Sequence, residues 1–176
     1  CRAKTLRALR AHMDAHGFIE VETPIMQPQY GGALARPFTT HHNTLDIDLY
    51  LRIAPELYLK RLLVGGLERV YELNRNFRNE GVSTQHNPEF TMLEFYAAYW
   101  DYQGMMEFVE ELLTVCVEAV LGVSDFSYQG NVVSMKRPWK RITFANALME
   151  IGGVPSDIVE DEEAFRAWLE EREIPA

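Results

Sequence analysis

Two runs of residues, 68–78 and 89–100, are rich in aliphatic and aromatic side chains and flank the polar, glycine-containing stretch Asn79 to Pro88. Runs of that kind on either side of a turn-rich segment predict a long antiparallel hairpin. Such a hairpin restricts the architecture more than any other feature of the chain. It fixes adjacent antiparallel strands where a doubly wound fold needs parallel strands joined by helical crossovers. The remaining segments mix helices and strands without regular βαβ alternation, so the expected class is α+β, an antiparallel sheet flanked by helices.

Leu6, Leu9 and Met13 recur at helical spacing before Gly17, which predicts an amphipathic helix over residues 2–16. Residues 18–24 alternate apolar and polar side chains and end at Pro24, so that strand belongs at an edge or boundary. Residues 27–44 contain Pro28, Gly31-Gly32, Pro37 and His41-His42 without a clear period and are expected to form a long loop. A strand over 45–53 and a helix over 54–64 follow, with Pro55 in the helix's first turn and Gly65-Gly66 closing it. A helix over 103–121 is expected to turn Met106, Val109, Leu113 and Val117 to one face. Beyond it, residues 126–134 suit a small hairpin, Thr143 suits the cap of a helix reaching Glu150, and residues 161–172 suit a last, acidic helix.

The 176 residues are 47% apolar and carry a formal charge of −9. A chain this long buries roughly 70% of its unfolded surface, enough for a core without disulfides or a structural metal. The richest apolar stretch, 105–121, is interrupted by Glu107, Glu110, Glu111 and Glu118, so no membrane span is expected. From Asp157 onward eight acids face two arginines; the nearly balanced remainder can still carry a local basic pocket for phosphates. Cys1 and Cys116 make neither a disulfide framework nor a metal-spaced pair, which suggests a reducing, cytoplasmic setting. A start without Met or a signal-peptide pattern suggests a piece of a longer protein.

The sequence lacks the Gly-x-x-x-x-Gly-Lys-Ser/Thr phosphate loop and the Gly-x-Gly-x-x-Gly dinucleotide turn, so a bound nucleotide needs another cradle. His41-His42 has no third ligand at metal spacing and suits a solvated or loop-stabilising pair better than zinc; no metal ligand is assigned. Cys116 sits in an apolar helical run with no nearby cation to lower its pKa, the setting of a small core residue and not of a nucleophile.

Side chains two apart on a strand share a face. Asn76, Arg78 and Glu80 therefore point one way from the first hairpin strand, and Phe90, Met92, Glu94 and Tyr96 one way from the second. If the two faces coincide, a single wall holds arginine, acids and aromatics, while Leu93 and Phe95 face the core. Pattern alone leaves a surface ion-pair ladder with incidental aromatics equally open.

The identity of the residues decides between them. Arg78-Asn79-Glu80-Gly81, followed after a short loop by His86-Asn87-Pro88-Glu89-Phe90-Thr91-Met92-Leu93-Glu94, resembles motif 2 of the class II aminoacyl-tRNA synthetases. Gly17-Phe18-Ile19-Glu20-Val21-Glu22-Thr23-Pro24 resembles their motif 1, whose proline closes a strand at the dimer interface. Within that superfamily, Gly31-Gly32-Ala33, Ala35-Arg36-Pro37-Phe38, His41-His42-Asn43, the run from Leu51 to Lys60, and Asn74-Arg75-Asn76-Phe77-Arg78 resemble the bacterial-type lysyl-tRNA synthetases. The likeness runs from the first helix to about Leu121; residues 122–176 resemble the variable inserted structure of such enzymes, ending in an acidic helix.

The resemblance implies an incomplete class II catalytic core, made by residues 1–121, that activates L-lysine with ATP and passes it to tRNA(Lys). It assigns Arg78 to the α-phosphate and the lysine carboxylate, Glu80, His86, Asn87 and Phe90 to ATP, Glu94 and Tyr96 to the lysine ε-ammonium, and Gly32 and Glu56 to its α-amino group. The planar, permanently charged guanidinium suits paired phosphate oxygens, and a carboxylate with a phenol suits a desolvated ammonium. A homodimer through the motif 1 region and Mg²⁺ are also implied. Nothing after Leu121 resembles motif 3, which carries the Mg²⁺ ligands, and the segment holds about half of an active site. Two other readings are a ligase that lysylates a translation elongation factor and a non-catalytic lysine- or ATP-binding module. The Gly31-Gly32 loop and His41-His42-Asn43 favour the synthetase over the first, and intact Arg78, Glu80 and Phe90 argue against the second.

Overall fold

The computed structural model describes residues 1–174. Helix α1 (Arg2–Ala15) opens the chain and stops as its sequence dictates. Gly17 takes φ +73°, and the amides of Gly17 and Phe18 turn back to the carbonyls of Asp14 and Met13 at 3.0 and 3.1 Å, the paired closure that a left-handed residue permits at a helix end. Strand β1 (Ile19–Glu20) then lies parallel to β5 (Arg69–Phe77), and β5 pairs antiparallel with β6 (Glu89–Ala97), giving the sheet order β1-β5-β6. The expected edge strand is thus at an edge but shorter than the alternating residues 18–24. After Val21 donates to the Tyr71 carbonyl at 2.9 Å, Thr23 leaves the ladder for the Glu72 carboxylate, and Pro24 has no amide to give.

The expected loop over 27–44 contains structure. Strands β2 (Met26–Gln27), β3 (Phe38–His42) and β4 (Ile47–Leu51) form a second antiparallel sheet ordered β2-β4-β3. Residues 39–42 of β3 are exposed, so the strand lacks the buried alternating face by which period-2 patterning is recognised; its five-residue ladder with β4 holds it instead. His41 Nδ1 meets Asp48 at 3.0 Å and Nε2 meets Asp46 at 3.3 Å, while His42 Nδ1 accepts from the Leu45 amide. The histidine pair stabilises this hairpin.

Helix α2 (Glu56–Val64) packs on the β5–β6 hairpin, with Pro55 just ahead of its first residue. Helix α3 (Tyr102–Leu121) is capped by Asp101, whose carboxylate accepts from the Gly104 amide at 2.8 Å, and ends at left-handed Gly122. Helices α1 and α3 cover one face of the hairpin. Met13, Phe18, Tyr71, Phe108, Leu112 and Cys116 form the core, with Leu73, Leu93 and Phe95 packed against it. The stripe expected on α3 is displaced. Phe108, Leu112 and Cys116 are buried while Met106 and Leu113 are 42 and 43% exposed; α3 is apolar on several sides, so periodicity alone does not choose its buried face.

Strands β7 (Asp125–Tyr128) and β8 (Asn131–Ser134) make a small hairpin within the same compact unit, which extends to Arg137. A second unit begins at Pro138. In it Thr143 Oγ1 caps α4 (Phe144–Glu150) by accepting from Asn146. Asp161 caps α5 (Glu162–Glu171), an acidic helix with no buried residue.

Candidate active site

The hairpin register settles which side chains share a wall. Opposite residues of an antiparallel pair point to the same face, and Asn76 faces Phe90, Asn74 faces Met92, Glu72 faces Glu94 and Val70 faces Tyr96. The Arg78 amide bonds to the Pro88 carbonyl at 2.9 Å, which carries the same alternation one pair further. The two expected faces therefore coincide, and Leu93 and Phe95 lie on the core side.

At the open end of the hairpin, a cavity of about 340 Å³ is lined by Arg78, Glu80, Ser83, His86, Asn87 and Phe90 among others. The Arg78 guanidinium carbon lies 5.2 Å from the Phe90 ring centre, within cation–π reach. Its Nε is buried with no hydrogen-bond partner among the described residues. A buried donor left unmade costs about 1–3 kcal/mol, so this wall is primed for an acceptor such as a phosphate or carboxylate oxygen. The loop that closes the cavity is shaped locally. Ser83 Oγ accepts from the amides of Gln85 and His86 and pairs with His86 Nδ1 at 2.8 Å, while the Asn79 amide ties the strand end to the Arg36 carbonyl at 2.7 Å.

Further along β6, Glu94 and Tyr96 meet directly. The Tyr96 hydroxyl donates to Glu94 Oε1 at 2.8 Å. Burial raises the Glu94 carboxyl above its ordinary range; the Tyr96 hydrogen bond pulls the other way, and the neighbouring Glu56 charge adds to the rise. Burial also raises the Tyr96 phenol, with the Glu94 hydrogen bond acting in the same direction. Such a carboxylate gains from any cation brought against it.

Glu56, at the first turn of α2, approaches the same region and is held by Lys60 through a 2.7 Å ion pair; Lys60 Nζ itself stands 5.8 Å from the Tyr96 ring centre. Gly32 reaches Glu56 because it has no side chain. At φ +88°, a Cβ there would stand 2.7 Å from Glu56 Cβ and 3.2 Å from Ala54 Cβ. Every residue singled out for lysine or ATP thus lines the open-end cavity, belongs to the Glu94–Tyr96 pair, or makes the Gly32–Glu56 contact beside it.

The floor of the site is a feature that sequence reasoning passed over. Arg52 is wholly buried, and its guanidinium donates to Glu72 Oε1 at 2.6 Å, to Thr23 Oγ1 at 2.9 Å and to the Arg75 carbonyl at 2.9 Å. Glu72 lies directly across the ladder from Glu94. Extending the period-2 count back from Asn76 through Asn74 places Glu72 on the site wall, and an arginine between Leu51 and Ile53 is a signal of a buried, paired cation.

The tRNA synthetases class II (D, K and N) family model matches residues 1–172. The match continues well past Leu121, where the motif-by-motif likeness fades. The chain is 57% identical over 174 residues to a lysine–tRNA ligase of Carboxydothermus hydrogenoformans, covering 99% of the chain and 36% of that protein. It is 54% identical over 167 residues to one from Syntrophomonas wolfei, covering 94% of the chain and 34% of that protein. It is 53% identical over 175 residues to one from Legionella pneumophila (strain Lens), covering 99% and 35%. The chain spans about a third of the length of these relatives. With its hairpin wall, its fold and this match over nearly all of its length, the chain belongs to the class II tRNA synthetases of the D, K and N group.

Proposed function

We propose that this segment is the part of a lysyl-tRNA synthetase catalytic domain that binds L-lysine and ATP, for formation of lysyl-adenylate and transfer to tRNA(Lys). The observation that carries this reading is the single hairpin face with Phe90 and a half-buried arginine whose Nε is buried and unsatisfied at one end and a desolvated carboxylate–phenol pair at the other. The relatives named as lysine–tRNA ligases support the same choice of amino acid.

The chemistry follows from the side chains. A lysine carboxylate is ionised at neutral pH and needs no base to attack the α-phosphorus of ATP. The new bond forms between a carboxylate oxygen and that phosphorus while the bond to the pyrophosphate oxygen breaks. Arg78 holds both reactants and stabilises the charge gathered on the pentavalent phosphorus. Phe90 offers its ring to the adenine, and Glu80, His86 and Asn87 border the nucleotide. Glu94 and Tyr96 receive the ε-ammonium, and Gly32 and Glu56 border the α-amino group. The residues present do not fit a Mg²⁺ site, since Glu80 is the one carboxylate among the lining residues of the open-end cavity and Mg²⁺ asks for several oxygen ligands in octahedral array. The ligands for that ion belong to the rest of the catalytic domain.

Residues 1–121 carry the site in this reading, and 122–176 are a variable insertion. A homodimer forms through α1 and β1, where Ile19 is 50% exposed, and tRNA charging places the protein in the cytoplasm. Among the described residues no helix is long and apolar enough to cross a membrane.

The test is the fate of labelled lysine given to the full-length protein with ATP and either tRNA(Lys) or the elongation factor. Label that becomes acid-insoluble with the tRNA, and is released by ribonuclease, is the expected result. Label appearing on the factor alone would shift the assignment to the elongation-factor ligase.

A further inference from the structure

Away from the hairpin wall, three metal-ligating side chains meet between α1 and α3. His12 and His16, one turn apart, and Glu111 of α3 offer donor atoms that all lie within 4.8 Å of one another. His12 is 6% exposed, and its Nε2 has no hydrogen-bond partner among the described residues. The two imidazole ring centres are 4.2 Å apart, with the ring planes tilted by 36°.

We infer that His12, His16 and Glu111 form a binding site for a zinc-class divalent ion that fastens the end of α1 to α3, separate from the lysine and ATP site. The arrangement around the three ligands favours this chemistry. His16 Nδ1 lies 2.8 Å from the His12 carbonyl, which can only accept, so Nδ1 carries a proton and Nε2 is the atom left to bind a metal; fixing a ring in this way is the usual outer support of a metal-bound histidine. That Nε2 stands 3.6 Å from Glu111 Oε1, close to the ~3.3 Å separating two ligands on a tetrahedral ion with bonds near 2.0–2.1 Å. The other Glu111 oxygen is held by Arg137 at 3.2 Å, and the Arg137 charge is balanced by Glu110 at 3.3 Å. His16 and Glu111 also line a cavity of about 490 Å³, from which water can supply a fourth ligand. Two imidazoles and one carboxylate suit zinc; magnesium and calcium prefer oxygen throughout.

The test uses untagged full-length protein, cleared of metal, titrated with zinc against a chromogenic chelator, and with cobalt as a spectroscopic stand-in. Wild type should take up one zinc more tightly than His16→Gln or Glu111→Gln by about 100-fold or more, and its cobalt form should show the intense visible bands of tetrahedral coordination. Zinc should raise the melting temperature of wild type and leave that of the two variants unchanged; His41→Gln should behave as wild type. Both variants replace partly exposed side chains, so folding of the metal-free proteins can be checked by their melting curves. Equal zinc affinity in wild type and both variants, or no uptake by wild type at micromolar zinc, would overturn the site.

Discussion

Arg78 lies opposite Pro88, six residues before Glu94 on the partner strand and so roughly 20 Å from it along the ladder, and in the proposed function the two do opposite electrostatic jobs. Arg78→Ala in the full-length protein should cost at least ~3 kcal/mol of transition-state stabilisation in lysine-dependent ATP–pyrophosphate exchange, as loss of a preorganised oxyanion donor does. Arg78→Lys should recover little of it, because an ammonium lacks the planar fork; near-normal exchange would refute paired oxygen recognition. Glu94→Gln keeps size and hydrogen-bonding capacity but removes the counter-charge, and should raise the lysine requirement by ~2 to 4 kcal/mol while the neutral isostere norleucine is affected far less. Because burial makes Glu94 easier to protonate, and only its carboxylate form attracts the ammonium, lysine KM should rise as pH falls through that elevated pKa. Glu94→Gln should lose this acid limb, and an unchanged limb would take Glu94 out of the lysine pocket. Both residues were legible in the sequence because type and spacing coincide there. Arg52 was not, since its role depends on Thr23, Glu72 and Arg75, three partners that folding gathers from distant parts of the chain.

At the level of elements, the loop before β3 and the start of α2 meet through a glycine. Gly32 combines a left-handed φ with a space that Glu56 and Ala54 already fill, so Gly32→Ala should destabilise the protein by ~1–3 kcal/mol and raise lysine KM by shifting Glu56. Gly31→Ala meets only the flexible tip of Leu57 at 2.9 Å and should be milder on both counts. Thermal melting and exchange kinetics of the pair check this; equal effects would contradict it. The hairpin, α1 and α2 were readable from periodicity and stop signals, because each has one wet and one dry side or a glycine at its end. Strand β3 was hidden by its exposed polar residues, and the buried face of α3 by apolar residues on several sides. In both cases the decision rests with the partner element, β4 for the first and the β5–β6 sheet with α1 for the second.

For the whole molecule, the family was legible in two short motifs, whereas the extent of the match was not: residues beyond Leu121 carry few of the motif residues, yet relatives align along nearly the entire chain. The family model spans aspartate, lysine and asparagine enzymes, so the proposed function stands or falls on whether this wall chooses lysine. The most direct measurement is ATP–pyrophosphate exchange by the full-length protein with each of the three amino acids in turn. Exchange driven by lysine, with aspartate and asparagine at background, is the expected result. Exchange driven equally well by aspartate or asparagine, or none with lysine, would contradict the assignment of Glu94 and Tyr96 to a lysine ammonium.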